Sequence, residues 1–314
     1  MFVRNRLTLV LIGILWGASA LWAQMPDDQA PGDQPPPTPW LFQIVPHYET
    51  GALAILSHLY QSGGNSTGIA GSGATSDGAI FDFIKQGGQD ILFPYQRLSV
   101  DVHLGEANIL TFLYQPLTLN TKTVVGRNGT KAPVVVDGVS FPSGSVLDLV
   151  YGFDFWRGSW LYNFAPGPGE ILGVGLSLQV RNATISFTEV DGNSKLRAIS
   201  QNIGPVPILK ARYAHWFAPE FGIDLTGDGI YVASAFFNGS TKDFAGWLWD
   251  VSLSAKTSFV EGSTAFLTLR SIGGGAQGNN AYEANTATTA SASSYSYNAL
   301  ATAALTLGFE LERF

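Results

Sequence analysis

The chain has 314 residues, no cysteine, and 13% charged residues against 46% hydrophobic and 12% aromatic ones. The missing cysteines exclude disulfide scaffolds, zinc-thiolate sites, cysteine nucleophiles and acylation at a lipobox cysteine, and a formal charge of -7 argues against nucleic acid as a partner. An ordinary soluble domain is roughly 25% charged, so this composition implies a surface that does not face water.

Arg4 and Arg6 precede an apolar and small-residue run over 7–23, the anatomy of a signal peptide and too short a run to cross a bilayer. Cleavage is expected after the Ala18-Ser19-Ala20 triplet or after Ala23, and we place the boundary at 23. Removing the two arginines takes the charge from -7 to -9. Residues 24–39, rich in proline and aspartate, read as an acidic periplasmic linker that cannot bury enough apolar area to order itself. Residues 40–314 are expected to form one membrane domain.

Past residue 23 no stretch of about 18 apolar residues occurs, so helical crossing is excluded. Backbone polar groups cannot go unpaired in hydrocarbon. The remaining spanning architecture is a closed barrel, marked by segments of about ten residues that alternate apolar-out and polar-in. Strands are expected at 51–60, 97–104, 107–117, 147–164, 170–187, around 209–213, at 220–232, 245–259 and 263–272, and through 305–311.

The alternation is clearest in four of them. Leu98, Val100, Val102 and Leu104 oppose Arg97, Ser99, Asp101 and His103, and Leu209, Ala211 and Tyr213 oppose Lys210 and Arg212. Trp247, Trp249, Val251, Leu253, Ala255 and Phe259 oppose Asp250, Ser252, Ser254, Lys256 and Ser258. Leu305, Leu307, Phe309 and Leu311 oppose Thr306, Gly308 and Glu310. In 147–164 the apolar parity shifts near Phe155 and Trp156, and in 170–187 after Val180, which predicts a bulge or an exit from the membrane at each.

Link lengths alternate as well. Short links fall at 105–106, 165–169, 218–219 and 261–262, and long ones at 61–94, 118–146, 189–205, 233–244 and 273–294. The reading is an all-β, transmembrane, antiparallel up-and-down β-barrel of about ten strands, with short periplasmic turns, long extracellular loops and both termini periplasmic. The terminal Phe314 resembles the signal read by the barrel assembly machinery, although Glu312 stands where that signal usually carries a second aromatic residue.

The stretches GGQDILFPYQR (87–97), FLYQPL (112–117), GVSFPSGSVLDLVYGFDFWR (138–157) and GPVPILK (204–210) resemble a family of uncharacterised bacterial outer-membrane β-barrel proteins. The resemblance implies location in the cell outer membrane after export, with no activity or ligand attached.

Interior charges recur at Arg97, Asp101, Lys210, Arg212, Asp224, Asp250, Lys256, Arg270 and Glu310, joined by His103 in a lumen-facing polar network, structural or pore-lining. A ten-stranded barrel is little wider than one that side chains fill, so opposite charges are expected to pair and to leave at most a narrow charged path. Ser99, Asp101 and His103 supply the residue types of a nucleophile, an acid and a base on one face, but their place near a periplasmic turn favours an interior polar network. His215 reads as an interfacial residue in an aromatic girdle with Trp216 and Phe217. The Asp224-to-Gly229 segment is only a faint calcium-loop match without the closing glutamate, and is read as a glycine-eased kink.

No catalytic, cofactor or metal residues are assigned. The expected role is a non-enzymatic barrel, structural or a narrow small-solute channel. The alternatives are surface binding through the outer loops and, further off, lipid hydrolysis. Expected partners are outer-membrane lipid, lipopolysaccharide and the assembly machinery through Phe314, with the chain a monomer.

Overall fold

The computed structural model describes residues 42–62, 80–127, 129, 133–165, 167, 169–191, 195–236, 244–260, 262–279 and 295–311. The expected signal peptide, the linker and Phe314 lie outside them.

Among the described residues fourteen strands follow in chain order: β1 (Phe42–Ser62), β2 (Phe81–Asp82), β3 (Leu92–Leu104), β4 (Asn108–Gln115), β5 (Thr118–Val124), β6 (Val134–Val136), β7 (Val139–Phe141), β8 (Val146–Asn163), β9 (Ile171–Glu189), β10 (Arg197–Ala218), β11 (Phe221–Ala233), β12 (Phe244–Val260), β13 (Ser263–Asn279) and β14 (Tyr295–Leu311). All ladders are antiparallel, each long strand pairs with its sequence neighbours, and β14 pairs back onto β1 from His47↔Glu310 to Ser62↔Ser296. The result is a closed ten-stranded barrel, in which β4 and its continuation β5 share one place in the wall beside β8. β6 and β7 form a separate small hairpin.

Closure sorts the side chains. Along β12, Val251, Leu253 and Phe259 are exposed while Asp250, Ser252 and Lys256 are buried, and β14 and the lower half of β9 alternate in the same way. From Trp247 to Phe259 the strand rises about 40 Å, or about 30 Å once tilted by about 40°, which matches a hydrocarbon layer with its interfaces. The short-turn end has a girdle of Tyr162, Phe164, Phe217 and Phe221. Near the other end Tyr114 stacks on Trp156 with ring centroids 4.3 Å apart.

The strands are longer than alternation suggests. β10 begins at Arg197 and β13 continues to Asn279, both inside segments expected to be loops, and β1 begins at Phe42. On β13 the reason is local: Gly273 and Gly275 pair with Trp249 and Trp247. A Cβ at Gly273 would meet Trp249 Cζ2 at 2.2 Å, so these glycines are slots for indole rings on the outer face rather than loop residues.

The parity shifts in β8 and β9 involve no bulge, because their mutual ladder runs without a register shift from Leu147↔Glu189 to Asn163↔Gly173. What changes is the environment. Below Phe155 the inward residues are mostly polar or small, Leu161 and Ile171 excepted, and the outward ones apolar. Above it Leu147, Leu149, Tyr151, Ile185 and Phe187 are buried inside while Asp148 and Asn182 point out. These ends have left the membrane and enclose an apolar core. β11 likewise pairs with β12 through Gly227 and Gly229 without a register shift.

Leu253 stands near mid-band, half exposed, opposite Leu225 and Leu269. Leu253→Arg is expected to destabilise the barrel folded in phosphatidylcholine vesicles by about 2–4 kcal/mol, measured by denaturant titration of tryptophan fluorescence, with Ser252→Ala nearly neutral.

Candidate functional site: the barrel interior

Three layers fill the lumen. At the short-turn end Ile109, Leu161, Ile171 and Ala214 form a small apolar floor. Trp216, expected in the girdle, faces inward here, its ring 5.7 Å from Lys256 Nζ. Its neighbour His215 keeps the outward face, and its Nδ1 lies 2.7 Å from Glu170 Oε2. That hydrogen bond holds the Glu170 carboxyl, in the turn, below its ordinary range.

The middle layer is ionic. Asp250, 1% exposed, accepts from Arg97 at 2.9 Å, Arg157 at 3.0 Å and Arg270 at 2.9 Å. Arg157 also reaches Asp228 at 3.0 Å, where Lys210 donates at 3.2 Å, and Arg270 donates to Glu49 at 2.8 Å. A second chain lies nearer the floor. Arg212 bridges Asp101 and Asp224 at 2.7 Å each, His47 sits 3.3 Å from Asp101 and 3.1 Å from Glu310, and Lys256 pairs with Glu310. The neutral groups Gln115, Gln179, Thr111 and Thr306 complete the arginines and carboxylates.

Among the described residues this layer holds six cations, Arg97, Arg157, Lys210, Arg212, Lys256 and Arg270, against six carboxylates, Glu49, Asp101, Asp224, Asp228, Asp250 and Glu310. Leaving aside His47, which bridges Asp101 and Glu310, the counts are equal, as burial favours, because an unpaired charge in a low-dielectric interior costs several kcal/mol. A cavity of about 80 Å³ remains between the two chains, lined by His47, Arg97, Asp101, Arg157, Lys210 and Arg270 among others, with room for a few waters.

Above lies the apolar core already met on β8 and β9. The segment 81–89 turns into the outer mouth: Asp82 Oδ1 accepts from the Ile84 and Lys85 amides to start its turn, and Phe83 stacks on His58 at 3.8 Å. Gln89 Oε1 lies 2.8 Å from His58 Nδ1. Phe81, Phe83, Phe141 and Phe187 pack edge to face or tilted across the lumen.

Of the residues expected in the lumen, Arg97, Asp101, Lys210, Arg212, Asp250, Lys256, Arg270 and Glu310 thus lie in the ionic layer. His103 does not: it lies below Asp101, partly exposed, and no hydrogen bond or ion pair joins it to Asp101 or Ser99 among the described residues. The Ser99, Asp101, His103 arrangement is therefore not assembled, and Asp101 serves Arg212, His47 and Thr111 instead. Sequence reading missed His47, Glu49, Arg157 and Asp228. The first two lie in 42–50, where alternation is weak, and Arg157 lies at the parity shift. Asp228 sits in the stretch read as a kink. Among the described residues no cluster of three or more His, Asp or Glu fits a metal ion.

No protein-family model and no curated protein sequence matches the chain. Solved structures resemble it distantly. The outer-membrane protease OmpT from Escherichia coli aligns at a TM-score of 0.42 and 8% identity over 86% of this chain and 97% of that one. The Ralstonia pickettii toluene transporter TbuX gives 0.30 and 10% over 86% and 90%, and a Pseudomonas aeruginosa FadL homologue 0.29 and 8% over 86% and 89%. Similarity at this level transfers neither activity nor ligand; the fold assignment stands on strand closure and side-chain sorting.

Asp250→Asn takes the shared counter-charge from three guanidinium groups and is expected to cost about 3–5 kcal/mol of folding free energy. Denaturant unfolding in detergent micelles measures it, and a loss below about 1 kcal/mol would contradict the role given to Asp250. An apolar exterior on a closed antiparallel wall, around an interior lined by paired charges, makes this chain a transmembrane β-barrel.

Proposed function

We propose that the protein is a non-enzymatic, closed-lumen barrel that contributes to outer-membrane structure. One observation carries this reading: the interior is occupied at every level, by the apolar floor, by the paired charges around Asp250, and by the aromatic core under the segment 81–89. A passive pore needs a continuous wet path, and the 80 Å³ cavity lies between the aromatic core and the small apolar cluster of Ile109, Leu161, Ile171 and Ala214.

The narrow-channel reading keeps one point in its favour, since that cavity is lined almost wholly by charged and hydroxyl side chains. Solute passage would require the segment 81–89 to leave the mouth and break the stacking of Phe83 on His58. The proposal extends to assembly: the chain is inserted by the barrel assembly machinery through Phe314 and stands as a monomer among lipid and lipopolysaccharide. The glycine- and serine-rich loop tips 63–79 and 280–294, on which a surface-binding role rests, lie outside the described residues.

Single-channel recording in planar bilayers tests the reading. Folded protein is expected to give no resolvable steps across repeated insertions in 1 M KCl, whereas regular steps of the size of an open porin would overturn it.

A further inference from the structure

The barrel wall parts between β10 and β11. Their ladder rises from Ala218↔Phe221 to Leu209↔Gly229 and stops, although both strands continue. β10 stays paired to β9 as far as Arg197, and β11 stays paired to β12 as far as Ala233. Continued register would set Ile208, Pro207, Val206 and Pro205 against Ile230, Tyr231, Val232 and Ala233, and no such pairs form.

The cause is written in the GPVPILK stretch. Proline has no N–H, and successive residues of a strand turn their hydrogen-bonding groups to opposite neighbours. The β9 ladder passes unbroken through Pro205↔Val180 and Pro207↔Leu178, so the intervening even residues bond to β9. The two missing donors therefore face β11. Leu209, next in that odd series, has its N–H and is the last residue to pair. Two prolines at this spacing create a sheet edge inside a closed wall, and four unpaired positions make a seam about 13 Å tall.

The seam is also unfilled. A comparable divergence between β3 and β5 is backed by buried Tyr95, Leu117 and Leu119. Beside the β10–β11 seam Ile208 is buried, but the other inward residues, Val206, Ile230 and Val232, stay partly exposed, and a Cβ on Gly204 would meet nothing within 4 Å. Opposite Gly204 stands Arg181, turned inward over the Phe153 ring at 5.5 Å. It has no carboxylate partner among the described residues, unlike every cation of the ionic layer. Outside, Leu178, Val180, Leu209 and Tyr231 are exposed apolar surface, and Gly227 and Gly229 leave a notch below the seam. Val180 is the last apolar outward residue of β9 before Asn182, which places the seam at the headgroup level of the outer leaflet.

We propose that this seam is a lateral binding port: the anionic headgroup of a single-chain amphiphile enters from the outer leaflet to pair with Arg181, while its tail stays in the notch at Gly227 and Gly229. The inference goes beyond the closed-lumen reading without depending on it, since a port to one side opens no path across the membrane.

Two measurements test it. Because the chain lacks cysteine, Val206→Cys with Val232→Cys can be oxidised in folded protein beside a paired control, Val232→Cys with Gly246→Cys. The control is expected to cross-link and the seam pair is not; quantitative cross-linking of the seam pair would show a zipped wall and overturn the proposal.

Binding is then read with dansyl-undecanoic acid and with lysophosphatidic acid as competitor, in a neutral maltoside detergent, which separates a carboxylate headgroup from a phosphate one. Arg181→Gln, Gly204→Leu and the pair Pro205→Val with Pro207→Val should each weaken binding at least tenfold while heat-modifiable migration stays unchanged. No binding by the unmodified protein, or wild-type affinity in any of the three variants, would overturn it. Silence in planar bilayers bears only on the closed lumen, so the two readings fail separately.

Discussion

Everything in this barrel follows from the pairing of β14 with β1. Without it, two edges of unpaired N–H and C=O groups would face hydrocarbon, each unsatisfied group costing several kcal/mol. Fifteen residue pairs from His47↔Glu310 to Ser62↔Ser296 remove those edges. Once the wall is closed, strand alternation leaves no freedom in where side chains go: one set meets lipid and the other meets a lumen too narrow to hold bulk water.

That narrow lumen sets a second problem, which the interior solves in layers. Charged side chains facing one another in a confined space must balance, and the six cations and six carboxylates of the middle layer do so through shared partners. Asp250 is the hub, because strands far apart in sequence, β3, β8 and β13, all send it an arginine. A buried ionic cluster adds less to stability than to specificity: it fixes which strands face which across the barrel, and a wrong register leaves charge unpaired. His47 ties Asp101 to Glu310 and so joins β1, β3 and β14 at the closing seam.

Much of this was legible in the sequence wherever the environment on each side of a strand stayed constant. Trp247 to Phe259 lies in the lipid band throughout, and its alternation gives both the strand and the interior places of Asp250 and Lys256. Legibility failed where the environment inverts. Above Phe155 and Val180 the outside is wet and the inside greasy, so the alternation of β8 and β9 fits either a bulge or an exit from the membrane until the unbroken ladder decides for the exit, and the outer ends of β10 and β13 read as loops. Gly273 and Gly275 look like loop glycines until the tryptophans of β12 are seen lying on them. Partnerships were also invisible: sequence shows that Arg97 and Asp250 point inward, but 153 positions separate them and only the closed wall brings them to 2.9 Å. Strand pairing is likewise silent in alternation: Pro205 closes a stretch read as a long link and Pro207 precedes the strand read from Leu209, so neither shows where the β10–β11 ladder stops.

The central claim is that β1 and β14 are not edge strands. Hydrogen–deuterium exchange on the protein folded in lipid nanodiscs tests it directly. The account expects amides of 47–60 and 298–310 to exchange as slowly as those of β12, with protection lost together on unfolding. Rapid exchange confined to β1 and β14, with β12 still protected, would mean an open sheet and would contradict the closed barrel.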